Sequence, residues 1–145
     1  MKTTKLVHFA SAGLLLLSAA SLLSVSLMAF ASPQAVMDLV QVRLTNNDAF
    51  SSIRGVYGGV GLALGVSLLY LLVKDPGKGL AFLCLLWGSY AASRIITIFV
   101  EGSLGDFGRQ WLVTESVLFL LAAGLLLARR KRGAPAGGYS RMGGE

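Results

Sequence analysis

Charge is scarce in this 145-residue chain. Asp, Glu, Lys and Arg make up 14% of it, where a soluble domain carries about 25%. The charges also cluster, leaving long uncharged runs in a sequence that is 54% hydrophobic with a mean hydropathy of +0.69. A soluble domain of useful size is thereby excluded. At roughly 20 apolar residues per membrane span, the chain has room for four helices, short loops and little else. Cysteine is rarer still. Cys84 stands alone in a hydrophobic run, so no intramolecular disulfide and no paired metal ligand can form. It reads as a small apolar side chain packed in a helix. The single histidine, His8, sits at the start of the chain. No His–carboxylate base pair with Glu115 is therefore available, and the spans offer no haem ligand. The Gly-x-Ser-x-Gly elbow, the Walker loop and zinc-binding patterns are also missing. No catalytic residue, metal or resident cofactor is expected.

The charge that is present is mostly positive, with 13 Lys and Arg against 7 Asp and Glu and a pI near 9.9. Such a balance suits nucleic acid in a soluble protein. Here the basic residues flank hydrophobic runs, where they act as topology signals, so nucleic-acid binding is not expected.

Four spans follow from the runs, at about residues 9–31, 55–73, 79–100 and 111–128. The first has a basic start and a small-x-small site at Ala29-Phe30-Ala31, and so imitates a signal peptide. Its apolar core is long enough to cross the bilayer, which predicts a retained anchor. Ser11, Ser18, Ser21, Ser24 and Ser26 within it can bond back to their own helix or mark a packed face. Between the first two spans, Pro33 suits a helix start. Val36, Leu39, Val40 and Leu44 then recur near the helical period. This predicts a short amphipathic helix on the membrane surface, ended by an Asn46-Asn47-Asp48 turn.

The second span is rich in glycine. Gly55 and Gly59 are four apart, as are Gly61 and Gly65, with Gly58 among them. Small-xxx-small spacing lets helix backbones approach closely in lipid; plain tolerance of glycine is the alternative. Gly59-Val60-Gly61 is not a dinucleotide fingerprint, because position 64 is Leu64 and no strand precedes it. Asp75-Pro76-Gly77 forms a tight turn before the third span. Arg129-Arg130-Lys131-Arg132 stops the fourth, and the Gly/Ala/Pro-rich tail 133–145 reads as disordered.

Orientation follows from the basic residues. With both ends in the cytoplasm, nine of them (Lys2, Lys5, Lys74, Lys78, Arg129, Arg130, Lys131, Arg132 and Arg141) lie inside. Only Arg43, Arg54 and Arg109 then face out, so the positive-inside rule favours this arrangement in a bacterial inner membrane.

Two charges interrupt the spans, and each is costly enough in a bilayer to be a functional hypothesis. Arg94 lies six residues before Val100, and Glu115 four residues after Trp111. At about 1.5 Å per residue these are depths of roughly 9 Å and 6 Å. The two helices are antiparallel neighbours joined by a short loop, so an Arg94–Glu115 ion pair is natural. Trp87, Tyr90, Arg94, Thr97 and Glu101 share one helix face, with Ser93 beside them. Arg54 and Tyr57 enter the second span at the same level. The candidate site is thus Arg54, Tyr57, Tyr90, Arg94, Thr97 and Glu115. Three readings remain open. The pair is a clamp that fixes helix register; or the cluster is a pocket for a membrane lipid, a quinone or another small hydrophobic ligand; or it belongs to a proton-linked pathway, for which a second buried carboxylate is lacking.

The stretch NNDAFSSIRGVYGGVGLALG, from Asn46 to Gly65, resembles the signature of an uncharacterised bacterial four-helix membrane family with an Arg-x-x-Tyr-Gly-Gly motif, here Arg54, Tyr57, Gly58 and Gly59. The likeness spans about Pro33 to Ala128. It extends to the DoxX-like membrane group, whose third-helix Arg and fourth-helix Glu correspond to Arg94 and Glu115. The resemblance implies an all-α four-helix transmembrane bundle. It brings no established activity, although DoxX-like relatives include membrane subunits of quinone-linked oxidoreductases. The function expected is therefore a non-enzymatic accessory or lipid-binding membrane protein, with a redox membrane subunit as the alternative. A membrane protein partner or self-association is compatible with either.

Overall fold

A computed structural model describes residues 2–133. Five helices form in chain order: α1 (Lys2–Ala31), α2 (Pro33–Asp38), α3 (Asn47–Lys74), α4 (Pro76–Val100) and α5 (Asp106–Gly133). All but α2 are long and apolar enough to cross a membrane. The protein is an all-α, multi-pass bundle of four such helices. The tail expected from residue 133 onward lies outside the described residues, save for Gly133, which closes α5.

The short helix between the first two spans is α2, but it occupies six residues rather than the longer stretch its periodicity suggested. Ser32 caps it by accepting from the Ala35 N–H, and Pro33 opens the first turn, where no N–H is missed. Beyond Asp38 turn bonds from Val40 and Val42 to the Met37 carbonyl and from Gln41 to the Asp38 carbonyl follow the helix, and the Gln34 amide braces them. Its Nε2 donates to the Asp38 carboxylate (2.7 Å) and to the Val42 carbonyl (2.9 Å), and its Oε1 accepts from the Leu44 N–H (2.9 Å). Gln41 takes φ 59° in the turn so formed. Val36 and Met37 are buried against Ala29.

Asn46 was expected in a closing turn. It is instead the N-cap of α3, accepting from the Ala49 N–H at 2.8 Å. The second membrane helix therefore begins at Asn47 rather than near Gly55. An Asn side chain does either task, and only the continuation of the chain distinguishes them. Within α3, Arg54–Val60 is a π-helical stretch between two α-helical ones. Asp75 caps α4 by accepting from the Lys78 N–H at 3.0 Å, with Pro76 in the first turn. That bond, first among several interactions with Lys78, draws the Asp75 carboxyl below its usual range.

α1 packs along α3, and α4 along α5; α1 also touches α4 and α5. The serines of α1 differ in their partners, and Ser11, though buried, bonds back to the Val7 carbonyl at 2.6 Å. Ser21 and Ser24 bond back to their own helix. Ser26 and Ser18, both buried, reach other helices. Ser26 Oγ donates to the Gly58 carbonyl at 2.6 Å, and the Trp87 indole N–H donates to Ser18 Oγ at 3.1 Å. The seam with α3 runs through Gly58, Gly61 and Gly65. A Cβ on Gly58 would meet the Phe30 ring at 3.1 Å, one on Gly61 would meet Ser26 at 3.3 Å, and one on Gly65 would meet Leu23 at 2.7 Å. Gly55 and Gly59 have open space instead, so they are not part of the seam. The main core is Leu15, Ala19, Leu68, Leu80, Leu83 and Trp87. The 32–46 segment and the 101–105 loop share one end of the bundle, and the Lys74–Pro76 turn and Arg129–Lys131 share the other.

Candidate functional site

Helical spacing stacks Trp87, Ala91 and Arg94 on the face of α4 that turns inward, and Trp87 and Ala91 are buried. On α5, Phe107, Trp111 and Glu115 are spaced by four, which lines them up on one face. The two faces meet at the charged residues. Arg94 Nε donates to Glu115 Oε2 at 2.6 Å, and Nη2 donates to Oε1 at 2.9 Å. This two-pronged contact matches a planar guanidinium to a planar carboxylate. The Glu115 side chain is 2% exposed and that of Arg94 22%. The carboxylate is therefore enclosed, while the guanidinium keeps one edge open.

That edge borders a cavity of about 340 Å³ at the end of the bundle that carries the 32–46 segment. Aromatic rings make much of its wall. Trp87 and Tyr90 stand 5.9 Å apart between ring centres, Phe107 and Trp111 stand 6.1 Å apart, and Tyr57 completes the set. Both tryptophans of the chain line this one space. The ceiling is Val36, Met37, Leu39 and Val40, held over the cavity by the Gln34 bonds, and α1 closes the side with Ser21, Leu22 and Val25. The charged groups of the wall are Arg94 and Glu115, and they face each other. The cavity is thus neutral overall. The Tyr57 and Tyr90 hydroxyls and the Trp111 indole N–H make no hydrogen bond to the described residues, and each is free to donate.

Four of the six candidate residues come together here: Tyr57, Tyr90, Arg94 and Glu115. Two do not. Arg54 Nε donates to the Phe30 carbonyl at 3.2 Å, and its side chain borders a separate recess with Asn47, Phe50 and Ser51. The Thr97 hydroxyl donates to the Ser93 carbonyl of its own helix at 3.0 Å, a turn beyond the cavity. Phe107 and Trp111 were not among the candidates, although their four-residue spacing to Glu115 was a readable signal. The ceiling and the α1 wall carried no such signal, since nothing polar marks them.

The model of one protein family, described as a domain of unknown function (DUF4345), matches residues 10–126. The chain belongs to this family. In this DUF4345 chain the match reaches into all four membrane helices and includes each residue of the cavity. No curated protein and no solved structure matches it.

Proposed function

We propose that this protein is a non-enzymatic membrane protein that holds a small amphiphile in the cavity beside Arg94 and Glu115. The observation that carries the reading is the wall itself. Aromatic and aliphatic side chains surround a few free donors, the usual make-up of a small-molecule site. A register clamp needs the ion pair but has no use for a roomy, donor-bearing space next to it. The charge distribution supports an inner-membrane orientation with both ends in the cytoplasm, which puts the cavity in the outer leaflet.

Native mass spectrometry of the protein released from its own membranes tests the proposal. The expected result is a retained amphiphile whose occupancy falls several-fold in Trp111→Ala. Equal and nonspecific lipid retention by both forms would overturn it. The same spectra read the oligomeric state.

A second reading rests on the DoxX-like resemblance at Arg94 and Glu115. The flat faces of Trp87, Tyr90 and Trp111 also suit a quinone ring, as in the membrane subunit of a quinone-linked oxidoreductase. That reading requires a soluble redox partner to co-purify with the chain, together with a quinone.

A further inference from the structure

A second space adjoins the cavity. It is an open groove of about 470 Å³ between α3 and α4, lined by Leu64 on α3 and by Phe82, Leu85, Leu86 and Ser89 on α4. Tyr90 and Ser93 line both spaces. The two are therefore adjacent chambers with a shared wall. From Ser93 to Phe82 is eleven residues, or about 16 Å along the helix. The groove runs from the cavity toward the opposite end of the bundle and passes mid-bilayer before Phe82. Apart from the Ser89 hydroxyl its lining there is hydrocarbon, whereas the cavity wall carries Tyr57 and Trp111, with Tyr90 at the junction.

We infer that the groove is the chain-binding half of the same site, and that the occupant is an uncharged single-chain lipid with an ester or similar carbonyl headgroup. This rests on the amphiphile reading above. Each part of the inference has its own ground. A single groove shares wall residues with the cavity, which suits a single chain. The order along the bundle, donors toward one end and hydrocarbon farther along, is that of an amphiphile's head and chain. The free Tyr57, Tyr90 and Trp111 donors call for acceptor oxygens. The head carries no charge because Arg94 is already bound through two nitrogens to an enclosed carboxylate. An anionic phosphate would meet a guanidinium whose charge Glu115 already cancels, and would lie close to that carboxylate. Tyr90 stands at the junction of the two spaces.

The test uses the full chain in nanodiscs of neutral phospholipid and a monododecanoyl glycerol bearing a photoreactive diazirine at its chain end. Headgroup entry is read by intrinsic fluorescence, since both tryptophans line the cavity. Chain placement is read by mapping the crosslinks. The expected result is a saturable fluorescence change, with crosslinks concentrated on Leu64, Phe82 and Leu85. Ser89→Trp, which fills the groove from its open side, should reduce those crosslinks several-fold, while Ser89→Ala retains them. A probe of the same chain with a phosphate head should label the groove several-fold less. Crosslinks spread evenly to Phe9, Tyr70 and Leu120 would show ordinary boundary lipid and overturn the inference. Equal labelling by the phosphate probe, or no loss in Ser89→Trp, would also overturn it. A fluorescence change without groove crosslinks defeats the groove alone. No fluorescence change with any amphiphile defeats the cavity reading as well.

Discussion

At the scale of single residues, Arg94 and Glu115 decide the most. Removing one partner of an enclosed pair leaves the other uncompensated, at a cost of about 3–5 kcal/mol. Arg94→Leu and Glu115→Leu should each lower folded yield and melting temperature sharply, and the double Leu variant should recover much of the loss. A thermal-melting double-mutant cycle in detergent checks this; strictly additive losses would mean that the contact contributes nothing. The pair was legible in the sequence because a charge in a membrane span demands a partner, and helix geometry put the two at similar depths. Arg54 looked equivalent by depth alone. It faces a different helix and satisfies itself on the Phe30 carbonyl. Depth along a span can be counted from the sequence, but the angle around the helix axis depends on packing.

At the scale of elements, the seam between α1 and α3 makes a contrast that can be measured. Gly59→Ala adds a methyl in open space and replaces the poorer helix former, so it should be neutral or stabilising by up to about 1 kcal/mol. Gly58→Leu forces a side chain against the Phe30 ring, and Gly65→Leu forces one against Leu23. Both should lower the melting temperature in detergent by several degrees. Equal behaviour of all three would mean that α1 and α3 do not pack as described. The sequence picked out the right helix for close packing and included two glycines that face away from it. Counting in fours pairs Gly55 with Gly59, whereas Gly58, Gly61 and Gly65, three and then four apart, share the face that meets α1.

At the scale of the molecule, α1 is part of the core rather than a leader attached to it. It contributes Leu15, Ala19 and the buried Ser18 acceptor for Trp87. A chain beginning at Ser32 should therefore fail to accumulate, and co-expression of residues 1–31 as a separate peptide should restore part of the yield. Full accumulation of the shortened chain would contradict this packing. Topology can be tested separately in a Cys84→Ala background. Ser103→Cys should react with an impermeant thiol reagent on cells whose outer membrane is permeabilised, and Lys78→Cys should react only after the inner membrane is opened. The reverse pattern would invert the protein. The four helices were legible from charge-free runs alone, because a bilayer leaves a backbone almost no other way to cross. The cavity was only half legible, because its ceiling comes from a segment whose path is set by backbone turn bonds and by the three bonds of Gln34.

In any membrane that carries a voltage, the cancellation of charge between Arg94 and Glu115 has a consequence. A potential of 100 mV does about 2.3 kcal/mol of work on each elementary charge that crosses it. A joined cation and anion feel opposite and nearly equal forces, so changes in voltage leave this part of the bundle at rest. Arg94→Leu would remove the counter-charge that balances Glu115. The intact pair makes the interior indifferent to the field in which it sits.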